Sequence, residues 1–397
     1  MGLLQVFLPA FRGSGISEAG ELSVNARTNH YAILPSNEHK PWGDFEYTKL
    51  PLEQPADLIP DTVRPLGAPR WFFSTSRQQI QNLFSRCGLT DEQQSMLNNP
   101  SHWQGASNGF YLLPPAQVVL EMSRQARQCI YAVLADNPLN SAQCHPFRFR
   151  PEWIEEWFSD TGLGKAQLDL LRSLIYRQGG SLCFSDGAIV QALFSTNDFA
   201  RLVKALYGER TFLMRLRVTP ETDIDALVRY WGRGGRAEAL RPLLESMAQV
   251  PGGASVNVCY LLPPFARVHL YTYPRPATDP TAAGQNCFWT AMNFFNENPD
   301  HRFVDAEFSQ RVLAADYEQV FGPPEFGDVV TVRDPAGAPV HMCVYLADEV
   351  VFTKNGRDCM APWVLMKLPD MLAWYPAKEP FAVAVFRQRK NYVAATK

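Results

Sequence analysis

The chain has 397 residues, 46% of them hydrophobic and 19% charged, with a formal net charge of -3 and a pI near 6.2. That balance belongs to a globular chain and excludes a disordered one, and it carries no electrostatic footprint for nucleic acid or anionic lipid. The length predicts two domains instead of a single core.

The first residues, MGLLQVFLPAFRGSG, form a short apolar run without a basic leader, cut off by Pro9 and Arg12. This is a poor secretory signal. No stretch elsewhere reaches the roughly twenty uninterrupted apolar residues that cross a bilayer, so no membrane span is expected. Residues 1–70 read as an irregular arm laid over a domain surface, with Tyr31, Trp42, Phe45 and Tyr47 as aromatic anchors. Carbohydrate stacking is the alternative for those rings.

Residues 71–250 read as a mainly helical domain, six or seven helices in an orthogonal bundle. Thr90 is a plausible cap for LTDEQQSML, and prolines open both PPAQVVLEMSRQARQCIYAVLA and PEWIEEWF, as suits a first helical turn. GKAQLDLLRSLIYRQ, STNDFARLVKALYG, DIDALVRYWG and AEALRPLLESMAQV follow at helical spacing. The Arg229–Arg236 stretch, RYWGRGGR, reads as an interhelical turn whose arginines bind helix C-terminal carbonyls; anion recognition is the alternative. A shift in composition near Pro251 marks the expected domain boundary, with VNVCYLL and ARVHLYTY as strands on either side of Pro263-Pro264.

Residues 251–397 concentrate the chemistry. Cys287 lies where a turn-rich loop gives way to Phe288, Ala291, Met292 and Phe295 at helical spacing, so it opens a helix. Backbone N–H groups and the macrodipole at such a position are expected to lower a thiol pKa. Downstream, three short strands are predicted: Asp328 to Val332, Val340 to Leu346 and Val350 to Thr353, with a further strand over Phe381 to Phe386. Alternation places His341, Cys343 and Tyr345 on one face and Met342 and Val344 on the other. Eight cysteines without CxxC spacing and seven dispersed histidines without HExxH leave no legible metal site, no cofactor is required, and mostly free, buried thiols are expected.

At these residues the chain resembles a family. GQNC is similar to the Gly-x-Asp-Cys that opens the nucleophile helix of NlpC-type peptidases and amidases of bacterial cell walls. FGDVV is similar to their Gly-Asp entry to the sheet, and HMCVYLADEVVFTK to their His-x-x-x-Tyr-Leu strand, turn and following strand. The resemblance covers roughly the last third of the chain. Asn286 replaces the usual Asp, Phe288-Trp289 replaces a Ser-Gly pair, and Thr353 stands where a second His is common.

The resemblance implies an α+β fold whose C-terminal domain is papain-like, a nucleophile helix on an antiparallel sheet. It implies a cysteine hydrolase cleaving an amide bond in a peptide or peptidoglycan-like substrate: Cys287 attacks, and His341 takes the thiol proton and returns it to the leaving amine. Thr353 by position, slightly ahead of Asn355 by chemistry, is expected to orient His341, with Lys354 pointing away. Tyr273 (alternatively Tyr271) and Gln285 are candidate oxyanion or cleft residues, and Asn286 and Trp289 shape the cleft. A catalytically inactive papain-like binding protein and an acyltransferase using the same Cys/His pair are the competing readings. The family's cell-envelope setting would require a leader removed from this chain; otherwise the setting is cytoplasmic.

Overall fold

The computed structural model describes residues 40–55, 66–274, 284–356, 361–375 and 381–389. The apolar N-terminal run, Tyr31 and Cys359 lie outside them. The described residues divide into two compact units, one made of 40–55, those within 209–372, and 381–389, the other of 66–208 and 373–375. The protein is α+β.

The first unit is assembled from both ends of the chain. Strand β1 (Asp44–Leu52) pairs antiparallel with β2 (Glu209–Val218) from Asp44–Arg217 to Leu52–Glu209, and β2 pairs in turn with β3 (Ala254–Asn257). Phe212, Met214, Leu216 and Val218 alternate inward on β2, while Arg215 and Arg217 alternate outward. The expected arm is therefore a strand over residues 44–52, although its aromatics do anchor it. Trp42 is buried and its carbonyl accepts from Trp231 Nε1, and the Tyr47 hydroxyl donates to Asp348 at 2.6 Å.

Two amphipathic helices, α1 (Ile224–Trp231) and α2 (Ala237–Ala248), place Leu227, Trp231, Leu240 and Leu244 in the same core. The division thus falls between Gly208 and Glu209 and not near Pro251. Local composition registers where strands replace helices; it does not register that β2 pairs with a strand some 160 residues earlier in the chain. In the same stretch, Pro263-Pro264 does not separate two strands. It starts a helix, α3 (Pro264–His269), at the position where a missing N–H costs nothing.

The larger sheet has six antiparallel strands: β4 (Tyr317–Val320), β5 (Val329–Arg333), β6 (Pro339–Ala347), β7 (Val350–Lys354), β8 (Trp363–Lys367) and β9 (Ala382–Gln388), in the spatial order β4-β9-β5-β6-β7-β8. The three strands expected between residues 328 and 353 are β5, β6 and β7, and the last expected strand is β9. Strand β8 was not legible. The β6–β7 turn holds Asp348 and Glu349 at positive φ, 49° and 60°.

The Gly-Asp entry to β5 has a structural cause. Gly327 has φ +85°, and a Cβ there would meet the Phe295 ring at 2.3 Å. Asp328 is wholly enclosed, taking Arg233 at 3.1 Å, Arg387 at 2.7 Å and the Glu325 amide at 2.8 Å. Arg236 of the same Gly-rich turn donates to the carbonyl of Trp231, the last residue of α1, and to that of Leu261. The turn therefore caps a helix as expected, and its second arginine is committed to an internal carboxylate.

The second unit is less helical than its sequence suggests. Two three-stranded antiparallel sheets interrupt it, one of Trp71–Phe73, Gly109–Leu112 and Trp103–Ala106, the other of Phe147–Phe149, Ser181–Phe184 and Tyr176–Gln178. The long helix expected from Pro114 is two, Ala116–Glu121 and Arg124–Leu134, because Ser123 leaves helical geometry and caps the second through the Ala126 amide. Cys87 and Cys129 form a disulfide, and the other described cysteines are free, so the thiols are mostly free as expected. Cys144, Cys183, Cys259, Cys287 and Cys343 are free.

Candidate functional site

Cys287 is the first residue of α4 (Cys287–Met292), as the spacing predicts. Asn286 caps the helix: its Oδ1 accepts from the Trp289 amide at 2.9 Å and its Nδ2 donates to the Val304 carbonyl at 2.9 Å. Both ends of the amide are thereby committed to structure, and the residue is buried, so Asn286 does not face a cleft. Trp289 is enclosed by Phe265, His269, His301 and Trp363, and its Nε1 is buried without a hydrogen-bond partner. It packs the helix and does not line an opening. Gln285 is half-buried immediately before the cap.

Burial outweighs the amides at Cys287. The side chain is 6% exposed, and desolvation pushes its thiol above the ordinary range even though the backbone amides of Met342, Phe288 and Cys287 itself and the charge of Lys354 pull the other way. The lowered pKa expected from a helix start is not realised. A six-residue helix has little macrodipole to offer, and enclosure in an apolar core disfavours the anion.

The faces of the sheet sort the remaining candidates. Helix α4 packs on the face that carries Val329, Met342, Val344, Phe352, Trp363 and Leu365, with which Cys287, Phe288, Ala291 and Met292 share one core. Trp363 Nε1 donates to Thr290 Oγ1 of this helix at 2.9 Å, and Lys354 pairs across the ladder with Trp363, so Lys354 lies on the α4 face. Thr353, next along the strand, points to the opposite face, and His341 Nε2 meets its hydroxyl at 2.9 Å. His341, Cys343, Thr353 and Asn355 therefore share a face, as alternation predicts, but it is the face turned away from the body of α4. The expected placements of His341 and Lys354 are exchanged.

That second face carries an ordered polar chain. Thr353 Oγ1 donates to Asn355 Oδ1 at 3.3 Å, and Asn355 Nδ2 donates to Met366 Sδ at 3.0 Å. With the threonine proton given to Asn355, Thr353 would accept from His341, the tautomer that carries its proton on Nε2 and its basic lone pair on Nδ1. The two residues weighed for the third position thus act in series. His341 is wholly buried, and burial lowers its pKa to about 3, so the ring is neutral near pH 7.

Met342, in the core that holds Cys287, links the thiol to the strand that carries the imidazole. Register pairing between β6 and β7 begins at Val344–Phe352, which leaves Met342 beyond the ladder between them, where its backbone helps to hold the Cys287 thiol pKa down against burial. Met342 follows His341 directly. Cys343, wholly buried, has its thiol pushed up by burial and further by the neighbouring Cys287.

The tyrosines expected at the cleft are engaged elsewhere. The Tyr273 hydroxyl donates to the Leu52 carbonyl at 3.2 Å and that of Tyr271 to the Phe212 carbonyl at 2.8 Å, both on the smaller sheet. Sequence reasoning missed Lys354 and Trp363. A lysine flanked by VVFT in a buried strand was the available signal.

Comparison with protein-family models, with curated proteins and with solved structures finds no match. Among the described residues no group of three or more His, Cys, Asp or Glu side chains is arranged to hold a metal ion, and no helix is long and apolar enough to cross a membrane.

Proposed function

We propose that this protein is a cysteine hydrolase of amide bonds, with Cys287 as nucleophile, built on a papain-like arrangement of helix and antiparallel sheet. The observation that carries the reading is Cys287 at the start of a helix packed on the sheet, in one core with Met342, the neighbour of a buried histidine hydrogen-bonded to Thr353. The substrate class, a peptide such as those of cell walls, comes from the sequence resemblance.

In this reading the resting pair is neutral thiol and neutral imidazole. The sulfur attacks the acyl carbon as its proton passes to Nδ1 of His341, the imidazolium returns that proton to the departing amine, and water cleaves the thioester. The amides of Cys287 and Met342 are the donors at hand for the oxyanion. Because the imidazole lies on the far face at rest, the proton transfer requires the β6 backbone at His341 to rearrange, since rotation of the side chain alone does not cross the sheet.

The position of His341 also favours a second reading, a binding protein that keeps the shell without the chemistry. A mixture of muropeptides incubated with the full chain separates the two by release of new amino groups. Release by the wild type, abolished in Cys287→Ala and reduced at least about a hundredfold in His341→Ala, is expected of a hydrolase. Release unchanged in Cys287→Ala would overturn the proposal, and no release together with an unreactive Cys287 favours the binding shell.

A further inference from the structure

A lysine without solvent is costly to hold, because an ammonium loses its hydration and needs compensating contacts. Lys354 has no exposed surface. Its Nζ donates to the Gly356 carbonyl at 3.0 Å and lies 5.9 Å from the centroid of Trp363. Trp363 is tied to α4 through Thr290, three residues after Cys287. Continuing the β6–β7 register two residues past Val344–Phe352 sets Lys354 across from Met342, which shares one core with Cys287. Burial, face and register thus bring one cation to the side of the sheet where the thiol sits.

We propose that Lys354 is a positioning residue for the reaction, supplying the positive charge that compensates the Cys287 thiolate as it forms. This rests on Cys287 being the nucleophile. With the ring of His341 directed to the other face, Lys354 is the cation on the sulfur's own side, and its effect on Cys287 has the sign the role requires. Other titratable and charged groups lie near α4: His269 from α3 and His301, Arg302, Asp300 and Asp305 from the turn ahead of α5 (Ala306–Asp316), with Cys343 on the opposite face of β6. Asp300 is engaged with Arg302, Asp305 caps α5 through the Phe308 amide, and His269 Nδ1 is bonded to the Phe265 carbonyl. None of them replaces a cation at the register position of Lys354.

The test is alkylation of the full chain by iodoacetamide between pH 6 and pH 11, with the extent at Cys287 mapped by mass spectrometry, in the wild type, Lys354→Met, Lys354→Gln and Lys354→Arg. Loss of the charge is expected to move the Cys287 midpoint upward by about one pH unit and to slow alkylation at pH 8 by about tenfold, while Lys354→Arg stays close to the wild type. Gln keeps a donor for the Gly356 carbonyl, so it serves where Met disturbs folding, as checked by thermal melting. A Cys287 midpoint unchanged in a folded Met or Gln variant overturns the inference. Muropeptide release in the same variants separates the two proposals: a shifted midpoint in a chain that releases nothing leaves Lys354 as the partner of the thiolate and removes the hydrolase.

Discussion

The two faces of the six-stranded sheet are built from the same strands and differ in what they bury. The face under α4 is an apolar core in which one thiol and one lysine are enclosed by Phe288, Met342, Phe352 and Trp363. The opposite face carries His341, Thr353 and Asn355 in a directed series of hydrogen bonds ending on Met366. On the first face packing decides which groups ionise; on the second, hydrogen bonding decides which nitrogen is basic. A protein that used both at once would need the imidazole to leave its series of bonds, which makes the division between the faces a functional question as well as a structural one.

The largest expected effect comes from breaking the α4 face. Trp363→Ala removes a fully buried indole and the Thr290 bond, and is expected to cost about 3–5 kcal/mol in chemical denaturation. An equal loss from Val364→Ala, one residue along and on the other face, would show that the two cores are not distinguishable energetically.

Next is the acid response of the other face. A histidine with a folded pKa of about 3 takes up its proton more readily unfolded, near the ordinary 6.5. Its contribution to stability is complete above pH 6.5 and lost as pH falls towards 3, with a slope approaching about 1.4 kcal/mol per pH unit. His341→Gln should remove that part of the slope in urea titrations from pH 7 to pH 4, and an unchanged slope would mean the histidine is hydrated in solution.

A smaller effect is expected from Thr353→Val, which keeps the shape and deletes the hydroxyl between His341 and Asn355. Leaving the buried Nε2 proton without its acceptor should cost about 1–3 kcal/mol at pH 7. Asn355→Ala, one step further along the series, should cost less. The reverse order would place the anchor of the imidazole at Asn355.

Smallest is the expected contrast between the two neighbouring thiols. Cys343 is wholly enclosed while Cys287 keeps 6% of its surface and is faced by amides and Lys354, so native alkylation at pH 9 should reach Cys287 first. Equal rates would indicate that opening of the sheet, and not the local environment, governs access.

Much of the local architecture was legible in the chain itself. Helical spacing placed Cys287 at the first position of α4, and alternation put His341, Cys343, Thr353 and Asn355 on a common face. Both follow from backbone periods of 3.6 and 2.0, which each segment carries regardless of its neighbours. Which face of the sheet α4 covers is set by tertiary structure, because either side of strands as apolar as VVTVR or VVFTK could receive a helix. Here Trp363 and Phe352, reaching Thr290 and Phe294, decide it. The pairing of residues 44–52 with 209–217 lay equally beyond local reading, since it joins segments far apart along the chain. The thiol's protonation was likewise decided by enclosure, as desolvation in an assembled core exceeds what a few backbone amides restore.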